Sequence, residues 1–330
     1  MRILTVTNMY PTENIPQFGI FVREQVDSIR ALGHEVDVLF VNGREGRLRH
    51  KGYVLGFPRL WKLLARRSYD VIHAHYVFSG IVARAQRSAP LVVTHHGIEL
   101  VDPWQGPICR LTRSWADRTI VVAPWMVPAL GLDDVDVIPC GVDFSVFQPI
   151  DRLEARRRLG LDPDRRYILF AGNTWDKVKR YDLIQAAAAR VTGEAHDVEL
   201  IAVSGQPHER VPLYMYAADV LVLASIGEGS AQVVKEAMAC NLPIVSTDAG
   251  DTWEVIRGTE GCFETTDDPD DIARHLTLAI SPPRRTDGRS RVDRFSIQSV
   301  ARQVEGVYEK VLRETRRSRA VSGRPTEAAS

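Results

Sequence analysis

Two glutamates, Glu228 and Glu236, stand eight residues apart in "IGEGSAQVVKEAMACNLPIVSTDAG", residues 226–250. The segment before them, Asp219 to Leu223, reads as a strand, "GEGS" as the turn leaving it, and the rest as a helix. Ser230 is placed to cap that helix. The amides of Gly229, Ser230, Ala231 and Gln232 then form a helix N-terminus, which suits a phosphate. At about 100° per residue, Val233, Val234, Ala237 and Met238 share the sheet-packing face. Lys235 falls opposite, and Glu236 lies on the boundary, able to look into a cleft. A carboxylate, an anion site and a second carboxylate fit a nucleoside diphosphate-sugar, with hydroxyls at both ends and phosphates between. One carboxylate accepting from two vicinal ribose hydroxyls is the device that dinucleotide folds use. The same spacing also suits a turn-capping Glu228 and a solvated Glu236.

Such a site needs elements to carry it. Strand candidates are Arg2 to Thr7, Glu35 to Val41, Asp70 to His73, Leu91 to Thr94, Thr119 to Val122 and Val135 to Ile138. A second series follows at Tyr167 to Ala171, Val198 to Val203, Asp219 to Leu223 and Pro243 to Ser246. Several are apolar on both faces, as buried parallel strands are. Val22, Val26 and Ile29 recur at helical spacing in a helix ending at Gly33. This alternation predicts βαβ units and doubly wound sheets. It runs twice, with a break near "GVDFSVFQPIDRLEARR", residues 141–157. The expected domains are 1–148 and 149–295, each Rossmann-like. A terminal helix, 296–313, is expected to return toward the first domain, and 314–330 to be a disordered tail. Ligands of such sheets sit beyond the strands' carboxyl ends, so the site belongs in the cleft between domains.

Here a family resemblance enters. "EGSAQVVKEAMACNLPIVSTDAG" is similar to the E-x7-E segment of retaining glycosyltransferases with two Rossmann-like domains, the GT-B fold, and of family 4 in particular. "RILTVTNMYPTENIPQFGIFVREQVDSIRALGHEVDVL", "DVIHAH", "VTHHGIEL", "VIPCGVDFSVFQP" and "FAGNTWDKVKRYDLIQAA" also match in order, from residue 1 to about residue 310. The motif block is most similar to enzymes of cell-surface polysaccharide assembly, the teichuronic-acid type included.

The resemblance implies roles residue by residue. Glu236 binds the ribose, and Glu228 contacts or steadies the donor sugar. The amides near Ser230 to Gln232 receive the pyrophosphate. Ala231 departs from the proline that relatives often carry, so its amide is present. "GNTWDKVKR" resembles a phosphate clamp in which Lys179 matches the lysine, while Asn173 stands where many members have arginine. Lys177 or Arg180 is then expected to supply the missing charge, and two cations at a diphosphate stabilise the leaving group. His96 matches the histidine against the donor sugar, with His75 lining the same side. Gly19 matches the glycine opening the first helix, where a backbone must approach a ligand closely. The donor base is expected to meet the loop "SGQPHERVP". The implied reaction is hexosyl transfer, with retention by front-face attack, from a UDP- or GDP-linked sugar to a sugar or lipid-linked acceptor.

Cofactors and metals are not expected. The triplets Asp134–Asp136 and Asp162–Asp164 lie in a strand approach and a polar turn, and both read as structural. His73 and His75 are taken to alternate faces of a strand, and no acidic or cysteine cluster accompanies them. Cys109, Cys140, Cys240 and Cys262 lack metal-ligand spacing and read as reduced thiols of a cytoplasmic protein.

The bulk numbers set limits. The 330 residues are 45% hydrophobic and 25% charged, enough for two cores. Zero formal net charge removes a whole-molecule case for nucleic-acid binding. The opening "MRILTVTNMYP" reads as neither signal peptide nor membrane span. Residues 52–67, "GYVLGFPRLWKLLARR", are amphipathic. Phe57, Leu60, Trp61 and Leu64 share one face, with Arg59, Lys62 and Arg66 away from it, which suits either anionic lipid at the inner membrane surface or packing on the first sheet. A GT-B nucleotide-sugar 2-epimerase and a non-catalytic nucleotide-sugar-binding protein are the alternatives. Glu228 and His96 discriminate against the first.

Overall fold

A computed structural model describes residues 1–16, 18–41, 51–194 and 197–322. The first domain carries β1 (Arg2–Thr7), β2 (Glu35–Phe40), β3 (Val71–His75), β4 (Leu91–His95), β5 (Arg118–Val121) and β6 (Asp136–Val137). The second carries β7 (Arg166–Ala171), β8 (Val198–Val203), β9 (Val220–Leu223), β10 (Ile244–Thr247) and β11 (Phe263–Thr265). Every pairing is parallel, and the sheet orders are β2-β1-β3-β4-β5-β6 and β11-β10-β9-β7-β8. β3, β4, β5 and β9 are buried at every residue, because helices cover both faces. This is the two-domain Rossmann-like architecture that the strand alternation predicts. The short edge strand β11 was not foreseen. Its three residues, "FET", carry no apolar run long enough to read.

Both sheets share one ordering. Counting within each domain, the second strand lies outside the first, and the third lies on the first strand's other side. The chain therefore reverses direction between β1 and β3, and again between β7 and β9. Helices leave to opposite faces at such a switch point and open a crevice at the strands' carboxyl ends.

The helix Ile20–Ala31 buries Val22, Val26 and Ile29 and ends before Gly33, whose φ of 89° is the left-handed turn glycine favours. Residues 52–64 form a helix that inserts Leu60 into the core over β1 and β3, with Phe57 and Leu64 packed beside it. Val54 and Trp61 remain exposed. None of the helices among the described residues is long and apolar enough to cross a membrane.

The chain crosses between domains twice, side by side. The Val142 amide donates to the Phe295 carbonyl (2.8 Å), and the Ile297 amide to the Val142 carbonyl (3.0 Å). Beyond the second crossing, the helix Ile297–Ser322 lays Val300, Ala301, Val304, Val307, Tyr308 and Val311 on the first domain, against Ile3, Val26, Ile29 and Val92. The segment expected to be disordered from residue 314 is helical as far as Ser322, because the helix simply continues past its last packed turn. Residues 323–330 of that expected tail lie outside the described residues.

Val304 is fully buried in this seam. Val304→Asp places an unpaired charge there and should cost about 3–5 kcal/mol in urea unfolding. A loss below about 0.5 kcal/mol, the range of surface substitutions, would show that the helix is not integral to the first domain.

Candidate functional site

The two switch points face each other across a cleft of about 460 Å³. From the first domain it is lined by Met9 beyond β1, by Ile20 and Phe21 at a helix start, and by His96 and Ile98 beyond β4. From the second it takes Gly172, Asn173 and Lys179 beyond β7, Ser204 to Gln206 beyond β8, and Glu228 to Val233 and Glu236 beyond β9. Glycines set its width. A Cβ on Gly229 would stand 1.7 Å from the His96 carbonyl oxygen, and one on Gly97 would stand 2.5 Å from the Gly229 Cα. The two backbones touch because neither residue has a side chain. The Trp125 indole closes the contact by donating to the Gly229 carbonyl at 3.3 Å.

Glu228 and Lys179 form an ion pair at the cleft wall. Three local features bring them together. Asp176 caps the short turn Lys177–Lys179 by accepting from the Val178 amide. The Ile226 amide donates to the Val178 carbonyl at 3.0 Å, which ties that turn to the glutamate loop. Gly250, at a φ of 69°, passes beneath Glu228 where a Cβ would meet the Glu228 carbonyl at 2.7 Å. Asn173 lines the cleft and accepts from the Ser204 hydroxyl at 3.2 Å. The other two clamp candidates do not join them. Lys177 is exposed and off the cleft wall, while Arg180 turns away to Asp267 at 2.8 Å. Arg180 takes a left-handed φ of 49°, where the chain turns into the next helix.

The helix Gln232–Ala239 starts one residue later than the capping argument requires. Its N-cap is Ala231, and Ser230 does not cap it. Ser230 donates instead to Asp251 (3.0 Å), which also accepts from the Ala231 amide (2.9 Å). The same carboxylate pairs with Lys235 at 2.6 Å. Lys235 was expected to point away from the sheet, yet it is wholly buried and also lies over the Phe295 ring. Asp251, beyond β10, is what draws it inward. The Ala231 amide is thus already engaged. Gln232 and Val233, in the first helical turn on the cleft wall, keep amides that no earlier turn of the helix can accept.

His96 stands at the cleft with its ring on Phe21 (centroids 4.9 Å apart) and its Nε2 3.1 Å from His75 Nδ1. His73 and His75 lie on one face of β3, not on alternate faces, with ring centroids 4.4 Å apart. A strand's period is two residues, so positions i and i+2 coincide. His73 is tied to Tyr308 and Thr94, both at 2.7 Å. Burial pushes His73 and His96 down to about 3, each neighbouring imidazole adding to the effect, and it pushes His75 in the same direction. All three rings are neutral at physiological pH. The aspartate triplets have other partners. Asp134 and Asp136 both hold Arg118 (2.6 and 3.1 Å), and Asp162 accepts from the Asp164 amide.

Gly19 takes a φ of 72°, and a Cβ there would lie 2.3 Å from the Met9 carbonyl carbon. Its close neighbour is therefore the loop after β1, which the cleft-lining Met9 belongs to. Glu236 lies on the cleft almost buried, with His208 on its Oε1 at 2.9 Å. His208 in turn reaches Glu24 of the first domain at 3.4 Å. The partners of the motif residues were not legible: Glu24, Asp251, the inward turn of Lys235, and the contact of His208, in the loop expected at the donor base, with Glu236 all depend on the fold.

The fold is shared with solved structures. Over 95% of this chain and 99% of the other, it superposes on a sucrose-phosphate synthase of Thermosynechococcus elongatus with a TM-score of 0.79 at 21% identity. Anabaena Alr3699/HepE in complex with UDP and glucose superposes over 93% and 99%, with a TM-score of 0.68 at 17% identity. The protein has the GT-B fold. Residues 19–146 match the family described as Glycosyltransferase Family 4, and residues 205–281 match Glycosyl transferases group 1. Both domains thus match glycosyltransferase family models. It is 30% identical to a D-inositol 3-phosphate glycosyltransferase of Mycolicibacterium gilvum over 72% of this chain, a match that spans 65% of that relative. The Bacillus subtilis protein TuaC, named for teichuronic acid biosynthesis, is 26% identical over 76% of this chain and 82% of its own.

Asp251→Ala would leave the Lys235 cation buried without its carboxylate. It should lower stability by about 3–5 kcal/mol in urea unfolding, whereas Asp251→Asn should lose less. Equal losses would mean that the charge pair is not what holds this loop.

Proposed function

We propose that the protein transfers a hexosyl group from a nucleoside diphosphate-sugar to a hydroxyl acceptor, with retention at the anomeric carbon. One observation carries this reading. Lys179, Glu228, Glu236, His96 and the start of the 232–239 helix converge on a single cleft between two switch points. Glu236 accepts the ribose hydroxyls. The diphosphate lies between the Gln232 and Val233 amides and Lys179, which leaves Glu228 to meet it. The sugar rests near His96, whose neutral ring is a hydrogen-bonding surface with no charge to repel an electron-poor anomeric carbon. Charge grows on the departing phosphate as the anomeric carbon–oxygen bond breaks. The Lys179 cation and the helix dipole stabilise that charge, so no metal is required.

The acceptor oxygen attacks from the same face. Its proton passes to the departing phosphate oxygen as the new glycosidic bond forms. Glu228, released from Lys179, takes the role of steadying the sugar hydroxyls. The likeness to proteins named for inositol phosphate and teichuronic acid glycosylation supports a cell-surface or glycolipid acceptor. A UDP- or GDP-linked donor fits this reading, and the UDP complex of the structural neighbour favours the former. Any peripheral contact with the inner membrane surface through residues 52–67 would fall to the exposed Val54 and Trp61.

Lys179→Ala and Glu236→Ala should each weaken nucleoside diphosphate-sugar binding by about 10- to 100-fold, the worth of a charge-assisted hydrogen bond. Circular dichroism and melting temperature should stay near those of the parent. Titration calorimetry against UDP-, GDP- and ADP-hexoses measures this. Parent-like binding in both variants would remove them from the site.

A further inference from the structure

Behind the cleft wall stands a chain of three titratable side chains. Glu24 lies on the helix 20–31 of the first domain, while His208 and Glu236 belong to the second. His208 presents Nε2 to Glu236 Oε1 at 2.9 Å and Nδ1 to Glu24 Oε1 at 3.4 Å. All three side chains are nearly buried, at 11% for His208, 10% for Glu24 and 7% for Glu236. The Phe147 ring meets the imidazole edge-on at 5.4 Å. Gln232 adds a second crossing, donating to the Gly141 carbonyl at 3.1 Å and reaching Glu24 Oε2 at 3.5 Å.

We propose that His208 is the positioning residue of the nucleotide site, an imidazolium that bridges Glu236 to Glu24 across the domain boundary, aims the ribose-binding carboxylate and couples ribose capture to domain apposition. The inference rests on the reading of Glu236 as the ribose carboxylate. Nε2 lies at hydrogen-bond distance from Glu236 and Nδ1 at ion-pair distance from Glu24, so a ring that presents a donor on both nitrogens suits both contacts. Only the cation has two donors. With Oε1 anchored, Glu236 cannot swing away, and its remaining lone pairs are left for a vicinal diol.

The surroundings favour that charge. Burial is the largest single influence and opposes it, but the Glu236 hydrogen bond and the charges of Glu236, Glu24 and Glu209 together outweigh burial and raise His208 to about 9. Burial also raises Glu24, to about 7, against the pull of His208, while the Glu236 and Asp143 charges push it the same way as burial. Arg23, one residue before Glu24, opposes that rise. For His208 the sign is clear. A folded value above the ordinary 6.5 means that its contribution is complete below about 6.5 and is lost as pH rises through about 9.

The test is calorimetric titration of the full chain with UDP, GDP and ADP and with their 2′,3′-dideoxy counterparts. The parent should prefer the ribose form of its nucleotide by about tenfold or more, a hydrogen-bond-sized effect. His208→Ala should bind the dideoxy form as the parent does, yet lose about tenfold on the ribose form, so that the preference collapses. Glu24→Gln, which leaves the second domain's own residues intact, should lose part of the preference and serves if His208→Ala does not fold. Between pH 7 and 9 the parent's ribose preference should decline, and that of His208→Ala should stay flat. An unchanged preference in both variants, or equal loss on ribose and dideoxy forms, overturns the inference while leaving the functional reading standing. A parent that binds none of the six nucleotides overturns the functional reading, and this inference with it.

Discussion

Backbone contact between Gly97 and Gly229 fixes the distance between the two domains at the place where chemistry would occur. A methyl group at either position would overlap main-chain atoms of the opposite domain. The carboxyl ends of two parallel sheets can therefore stand face to face with only a ligand's thickness between them. Everything that lines the cleft inherits its position from this approach. His96 lines the cleft because it precedes Gly97, and Glu228 lines it because it precedes Gly229. The 232–239 helix starts at the cleft because the same loop feeds it.

Charge on the cleft wall is balanced by two ion pairs. Lys179 rests on Glu228, and Glu236 rests on His208. The pair beneath the loop, Lys235 with Asp251, is of another kind, since no cleft ligand can reach a wholly buried ammonium. The Lys179–Glu228 pair keeps some contact with solvent, whereas Glu236–His208 is nearly buried and the Lys235 ammonium wholly so. A buried charge without its partner is costly, and one that keeps contact with water is less so.

Much of the fold was legible because buried parallel strands write themselves as short apolar runs. Arg2–Thr7 and Val198–Val203 needed no adjustment, and the others shifted by a residue or two. β11 escaped because a three-residue edge strand has no pattern of its own. The motif residues were legible one at a time, through spacing and family likeness. Their partners were not. Helical periodicity put Lys235 on the solvent side, since a wheel knows nothing of Asp251 sixteen residues on. Ser230 has the right chemistry to cap a helix, but the same aspartate competes for its hydroxyl. Glu24, His208 and Glu236 meet only when two domains do, and no one-dimensional rule joins residues so far apart.

The decisive question is where an activated sugar binds. A crystal structure with a nucleoside diphosphate-hexose measures this most directly. The diphosphate should lie beside the Gln232 and Val233 amides with Lys179 turned onto it and away from Glu228, and the ribose should lie on Glu236. Density for the ligand outside the cleft, or a Lys179–Glu228 pair still closed around a bound diphosphate, would contradict it.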